Sequence, residues 1–195
     1  GQEVGRVAVE LIYGEKNPSG KLAETWPLRL EDTPSYLNFP GVDGIVNYRE
    51  DIFIGYRYYD KKKMNVQYPF GHGLSYTSFS YSDLKTDKIT ITDKETLHVS
   101  CKIKNTGTCA GTETIQLYLH DIAASVVRPV KELKDFRKVT LQPEEEARVE
   151  FTITEPQLRF LSENNIFESE AGIFEIFIGT DSTTTNKAKF TLEKQ

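Results

Sequence analysis

The sequence predicts a mainly β protein: a two-layer β-sandwich preceded by a long irregular connector and a small α/β remnant. Three observations predict it. Short alternating runs separated by turn signals fill the chain from about residue 75 onward. Before them, residues 28–74 are punctuated by Pro34, Pro40, Gly41, Gly44, Gly55, Pro69, Gly71 and Gly73 and hold no sustained period. Residues 1–27 carry one helical period and one short β-type run, and two such elements cannot bury their own apolar faces.

In chain order, Val4, Val7, Ala8, Leu11 and Ile12 form one apolar helical stripe, with Gly14 as its stop. Asn17-Pro18-Ser19-Gly20 has turn chemistry. Residues 21–26 read as a strand ended by Pro27, which puts Trp26 in a core strand. Within the connector only residues 48–59 have a β-type composition, with Ile52, Ile54, Tyr56 and Tyr58 on one phase and Phe53 and Arg57 on the other. Lys61-Lys62-Lys63 reads as a solvated turn.

Residues 79–84 open the set of strands. Leu97, Val99, Cys101 and Ile103 alternate with His98, Ser100, Lys102 and Lys104, a strand buried on one face. Asn105-Thr106-Gly107 turns the chain, and Ile115, Leu117 and Leu119 then alternate with Gln116, Tyr118 and His120. Residues 133–141 and 148–153 follow, split by the Pro143-Glu144-Glu145-Glu146 loop, and residues 173–178 and 187–192 close the series. About seven strands with turns every 8–12 residues define a sandwich. The chain has no Cys…Trp…Cys pattern, so the fibronectin type III-like variant of the immunoglobulin-like sandwich is expected.

Composition excludes several functions. The chain has 195 residues, a net charge of −5 and no basic cluster longer than Lys61-Lys62-Lys63, which argues against a nucleic-acid surface. No apolar run approaches the roughly 18 residues of a membrane span. Gly1-Gln2-Glu3 has no basic signal-peptide start and no initiator Met, so an internal position in a longer protein is expected. Cys101 and Cys109 are too few for a disulfide framework. They flank a turn, so a bridge is conceivable, but the inward phase of Cys101 favours a buried free thiol. Asn17-Pro18-Ser19 is blocked for glycosylation by its proline. Together these features point to a reducing, cytoplasmic setting, with secretion as the alternative.

Glycoside hydrolysis needs two carboxyl groups about 5–9.5 Å apart. Asp83, Asp87, Asp93, Glu144, Glu145 and Glu146 occupy strand edges and turns, the positions of solvated carboxylates. Glu50 and Asp51 stand apart, and an ion pair with Arg49 or Arg57 is expected for them. His72, His98 and His120 show no metal-ligand spacing, and no metal or cofactor site is predicted. Gly71-His72-Gly73-Leu74-Ser75-Tyr76 matches two glycines of a dinucleotide fingerprint and lacks the second glycine of a nucleophile elbow around Ser75. Tyr48, Tyr56, Tyr58, Tyr59 and Tyr68 could form a sugar platform or seal an interface. The suitability of Tyr for half-wet packing favours the seal.

The most informative stretch is Gly55-Tyr56-Arg57-Tyr58-Tyr59-Asp60 followed by Tyr68-Pro69-Phe70-Gly71-His72-Gly73-Leu74-Ser75-Tyr76-Thr77. Such a run loses backbone entropy and exposes rings unless something covers it, so it reads as a loop pinned between two bodies. It resembles a signature of family-3 glycoside hydrolases, the β-glucosidase-type enzymes. Gly14-Glu15-Lys16-Asn17-Pro18-Ser19-Gly20-Lys21-Leu22 resembles the turn that closes their α/β sandwich domain. Lys104-Asn105-Thr106-Gly107, the run from Gly111 to Tyr118, and Arg128-Pro129-Val130-Lys131-Glu132-Leu133-Lys134-Asp135-Phe136 resemble their fibronectin type III-like domain. The motifs occur in the family's order and cover nearly the whole chain.

The resemblance implies a division into the end of an α/β sandwich domain (1–27), a connector (28–74) and a fibronectin type III-like domain (75–195). It implies a retaining glycosidase acting on β-glucosides, with an Asp nucleophile in a Ser-Asp-Trp motif of a separate barrel and an acid/base Glu in the α/β domain. Here Ser82-Asp83 is followed by Leu84 and Trp26 is preceded by Thr25, so no catalytic residue is carried over. Gly55, Tyr56, Arg57, Tyr58, Tyr59, Pro69, Phe70, Gly71, Gly73, Leu74, Ser75 and Tyr76 are expected to serve interdomain packing. The implied role is to stabilise and orient the catalytic barrel and the α/β sandwich domain of the parent. The rival readings are a carbohydrate-binding or adhesive module that uses the Tyr cluster, and a structural spacer.

Overall fold

The computed structural model describes residues 1–194. Helix α1 (Val4–Ile12) forms on the predicted stripe and stops where Gly14 adopts a φ of 76°, yet none of its residues is buried. The strand expected over residues 21–26 does not form. Only β1 (Trp26–Pro27) pairs, antiparallel to β2 (Val66–Tyr68), with an irregular step at the proline. Upstream of it the backbone bonds to the connector instead: the Leu22 amide donates to the His72 carbonyl and the Gly71 amide to the Leu22 carbonyl, both at 2.8 Å. Trp26 is therefore 47% exposed and not a core residue.

The second correction concerns residues 48–59. Their β-type composition gives way to helix α2 (Tyr56–Lys62), which starts at Gly55 and ends at Lys63 in the left-handed region. Tyr56, Tyr59 and Asp60 fall at i, i+3 and i+4, so one helical face meets the sandwich, and so short a run fits either period. Lys61 and Lys62 close this helix and do not lie in a turn. Besides β2, the rest of the connector holds one 3₁₀ turn at Leu30–Asp32 and an isolated bridge between Val42 and Ile45, and is otherwise irregular.

From residue 79 the chain builds two facing sheets. Strands β3 (Phe79–Thr86), β5 (Leu97–Asn105) and β8 (Glu146–Ile153) form one, in the order β3-β5-β8. The other has the order β4-β12-β11-β6-β7, from β4 (Thr90–Thr92), β6 (Gly111–Asp121), β7 (Glu132–Leu141), β11 (Gly172–Gly179) and β12 (Lys187–Glu193). All neighbours are antiparallel except β12 and β4. A one-turn helix α3 (Glu155–Leu158), capped by Thr154 and Gln157, and a small ladder of β9 (Phe160–Leu161) with β10 (Phe167–Glu168) bridge β8 to β11. These last three elements and β4 are too short to carry a period in sequence.

The core lies where the sheets face each other. Leu97, Val99, Cys101 and Ile103 of β5 are fully buried, as their alternation predicts, and meet Ile115 and Leu117 of β6 and Ile176 and Ile178 of β11. Phe174 and Phe190 stack at 5.3 Å. Cys101 is buried, and both cysteines are free. The alternation of β6 misleads, however. Gln116 and Tyr118, expected to face solvent, are buried, because the connector covers the outer face of the sheet there. His120 is half-buried beside Glu175 at 3.4 Å.

Ile103→Ala deletes a fully enclosed side chain between the layers and is expected to cost about 2–5 kcal/mol. Urea denaturation followed by far-UV circular dichroism measures this, and a loss below about 1 kcal/mol would contradict the close interlayer packing.

Candidate functional site

The described residues that depart most from an ordinary sandwich are those that fasten the connector to its outer face. Tyr56 anchors the seat. Its ring packs on Phe70 at 4.7 Å and edge-on to Tyr118 at 6.0 Å, and its hydroxyl accepts the Leu133 amide at 2.9 Å. That amide lies at the register step between β6 and β7, where an extra residue interrupts the ladder. The Tyr56 hydroxyl thus takes a donor that the ladder leaves open.

Gln116 is the second anchor. Its amide nitrogen donates to the Thr180 carbonyl at 2.6 Å and to the Gly71 carbonyl at 3.4 Å, while its oxygen accepts the Tyr118 hydroxyl at 2.5 Å. Three chain segments meet on one side chain. Gly71 has a φ of 83°, and a Cβ there would strike the Gln116 amide, so conformation and space both require glycine. The Ser182 amide donates to the Phe70 carbonyl at 2.9 Å beside it.

A charged cluster closes the edge of the seat. Arg57 pairs with Glu132 at 3.2 Å, and Lys131 donates to the carbonyls of Ser182 at 2.8 Å and Thr184 at 2.6 Å while lying over the Phe177 ring. The Asp60 carboxyl on α2 faces this edge with one buried oxygen that has no hydrogen-bond partner. Burial lifts its pKa to about 6, the nearby Lys131 charge opposing the rise and Asp181 adding to it. Burial likewise lowers the Lys131 ammonium. The pair expected between Glu50 or Asp51 and Arg57 does not form: Arg57 goes to Glu132, and one Glu50 oxygen is buried without a partner.

The opening segment is tied in by Asn17. Its side-chain oxygen accepts the Ser75 hydroxyl and the Tyr76 amide, each at 2.9 Å, and its nitrogen donates to the Ala110 carbonyl at 2.9 Å. Tyr76 donates its hydroxyl to the Leu11 carbonyl at the end of α1, at 2.6 Å. Gly73 lies against the Gly20 carbonyl. The Pro69 carbonyl accepts the His72 amide at 3.1 Å, and the His72 ring stacks on Tyr68 at 4.9 Å.

The other singled-out residues divide. Gly55 starts α2 and Tyr59 is buried, whereas Tyr58 accepts a bond from Lys62 at 3.0 Å and meets Tyr59 edge-on at 79°. Leu74 is left 75% exposed and Tyr48 81% exposed. Steep ring angles and burial break up the Tyr cluster, so it presents no flat stacking surface. Gln116, Tyr118, Lys131 and Asn17 escaped the sequence reading. The one available signal was a Tyr on the supposed solvent phase of β6.

The seat thus fastens a glycine- and tyrosine-rich connector and the helix α1 segment to one face of a β-sandwich. The chain belongs to the family-3 glycoside hydrolases and matches their C-terminal region. The family model for the glycosyl hydrolase family 3 C-terminal domain matches residues 1–76, and that for the fibronectin type III-like domain matches residues 113–182. The chain is 49% identical over 183 residues to thermostable β-glucosidase B of Acetivibrio thermocellus, a match spanning 93% of this chain and 24% of the relative. Among solved structures, the GH3 β-glucosidase of Bifidobacterium adolescentis superposes with a TM-score of 0.89 at 40% identity, over 96% of this chain and 28% of that one. The β-glucosidase 3B of Thermotoga neapolitana in complex with glucose gives 0.88 at 40% identity, over 98% and 27%. The chain therefore spans about a quarter of the length of the relatives it matches.

Two outcomes are expected at the seat. Gly71→Ala should lose about 1–3 kcal/mol in urea denaturation, since it adds strain and displaces Gln116. Asp60 has a folded pKa near 6, above its unfolded value of about 3.9, so its contribution is full below about pH 4 and is lost as pH rises through 6. The urea midpoint should fall between pH 5 and pH 7.5, and Asp60→Asn should flatten that fall; equal slopes in the two proteins would exclude Asp60 as its source.

Proposed function

We propose that this chain braces a retaining β-glucosidase-type hydrolase that acts on β-glucosides, its partners being a catalytic barrel and the remainder of an α/β sandwich domain. One observation carries the reading: the uneven burial of apolar side chains. Nineteen of the twenty-seven exposed large hydrophobic residues precede Thr77, and of the twenty-two in the core only Tyr59 does. Val4 and Ile12 of α1, Leu37, Phe39 and Val42 of the connector, and Trp26 all present apolar surface. So large an exposed apolar area marks an interaction face.

Of the division into residues 1–27, 28–74 and 75–195, the boundary near residue 75 is supported by the same asymmetry, and the one at residue 27 rests on the motifs alone. The first two units offer the apolar face, the third holds the core, and they are joined through Tyr56, Phe70 and Gly71 of the second and Ser75 and Tyr76 at the start of the third. Bracing matters to catalysis because a displacement of about 1 Å at a reacting group costs about 100-fold in rate. The names of the relatives, β-glucosidases of bacteria, support the substrate class. The two free thiols support a reducing compartment.

Replacing the corresponding quarter of the Acetivibrio thermocellus enzyme by this chain tests the reading. The chimaera should hydrolyse an aryl β-glucoside at a rate within about tenfold of the parent, while the 195-residue chain alone leaves it at the buffer rate. Turnover by the isolated chain well above buffer, or a folded chimaera without activity, would refute the bracing role. In the chimaera Gly71→Ala should shorten the thermal half-life while leaving KM unchanged.

A further inference from the structure

Strand β7 is the last in the order β4-β12-β11-β6-β7, so one of its sides has no neighbour in the sheet. At ten residues it is the longest of the four strands at sheet margins, against eight for β3 and β8 and three for β4. A long free edge offers a row of backbone donors and acceptors to any second strand.

The middle of this edge is occupied by its own side chains. The Phe136 amide donates to Asp135 Oδ1 at 2.7 Å, and the Phe136 carbonyl accepts a bond from Arg137 Nη1 at 3.0 Å. Arg137 Nη1 also donates to Asp135 Oδ1 at 2.7 Å, which ties the two side chains together. The amide and carbonyl of one strand residue point to the same side. These bonds therefore take both of the groups that Phe136 turns away from β6.

The phase of the two charges supports this role. Side chains alternate between the faces of a sheet, and on β7 Leu141 lies in the core with Val139 packed against it. Arg137 and Asp135 continue that phase, so two charges stand where the pattern calls for apolar side chains. Arg137 lies 5.5 Å from the centre of the Phe151 ring, on β8 of the facing sheet. Inward-pointing charges and a bulge both blunt a sheet edge, and β7 has both, its register step lying opposite Leu117 and Tyr118. At that step the Tyr56 hydroxyl accepts the Leu133 amide at 2.9 Å.

We propose that Asp135 and Arg137 form a clip that keeps the free edge of β7 from pairing with β7 of a second copy of this chain. Two copies related by a two-fold axis meet through the same strand. An antiparallel pair centred on Phe136 needs the amide and carbonyl of that residue from both copies, and the clip holds them.

The Asp135→Thr/Arg137→Thr double variant of the 195-residue chain tests the clip. It removes one charge of each sign, so the net charge of −5 is kept and does not account for any change. Sedimentation velocity over a concentration series should show the double variant self-associating about tenfold more tightly than the native chain, or more. A synthetic peptide of residues 132–141 with the same two threonines should displace that association. Displacement separates pairing at β7 from contact through the exposed apolar residues before Thr77, which both proteins share. Asp135→Asn keeps an acceptor for the Phe136 amide and should sediment like the native chain. Should the double variant fail to fold by far-UV circular dichroism, Arg137→Thr alone frees the Phe136 carbonyl. It should then associate more tightly than the native chain and yield to the same peptide. Equal association of the native chain and the folded variant, association that the peptide leaves intact, or Asp135→Asn associating as tightly as the double variant would overturn the proposal.

Discussion

Strand β6 is buried on both faces, and the rest of the molecule is arranged around that fact. Its inward side chains, Ile115, Leu117 and Leu119, belong to the core shared with β5 and β11. Its outward ones, Gln116 and Tyr118, carry polar atoms that would be stranded under an apolar cover. The connector supplies partners as well as cover. The Gly71 carbonyl, the Thr180 carbonyl and the mutual bond between Gln116 and Tyr118 satisfy what burial takes from water. Without that layer the sandwich would expose Gln116 and Tyr118, and without the sandwich the connector would have little regular structure of its own.

The charges around this seat give position more than stability. Arg57 with Glu132, and Lys21 with Glu113, are at least half withdrawn from water, where desolvation offsets much of the Coulombic gain. Their value lies in register: each joins the first third of the chain to one particular residue of β6 or β7. Lys131 works differently. It ties the β11–β12 turn through two carbonyls and lies over Phe177, which holds that turn where Ser182 can reach the Phe70 carbonyl.

The inner face of the sandwich was legible because it obeys a period of two: Leu97, Val99, Cys101 and Ile103 announce their burial in the sequence. The outer face of β6 was not legible. A Gln and a Tyr look the same whether they meet water or a connector that satisfies them. The short helix at Tyr56–Lys62 was missed for a related reason, since seven residues rich in Tyr fit a strand and a helix equally well and tertiary contact decides between them. The short run before Pro27 was read as a strand because it has a strand's composition, but pairing partners, not composition, make a strand. The candidate seat was half visible, its connector residues standing out by their rings and glycines while the residues that receive them stayed hidden.

The position of β12 has a consequence for biosynthesis. This strand, near the end of the chain, is not at the margin of its sheet but wedged between β4 and β11, and it pairs with residues about a hundred positions earlier. On the ribosome, β4 must therefore wait without any strand partner until Lys187–Glu193 has left the exit tunnel. The sandwich cannot close before that strand emerges, and a chain that stopped short of it would leave a gaping β-sheet prone to stick to its neighbours.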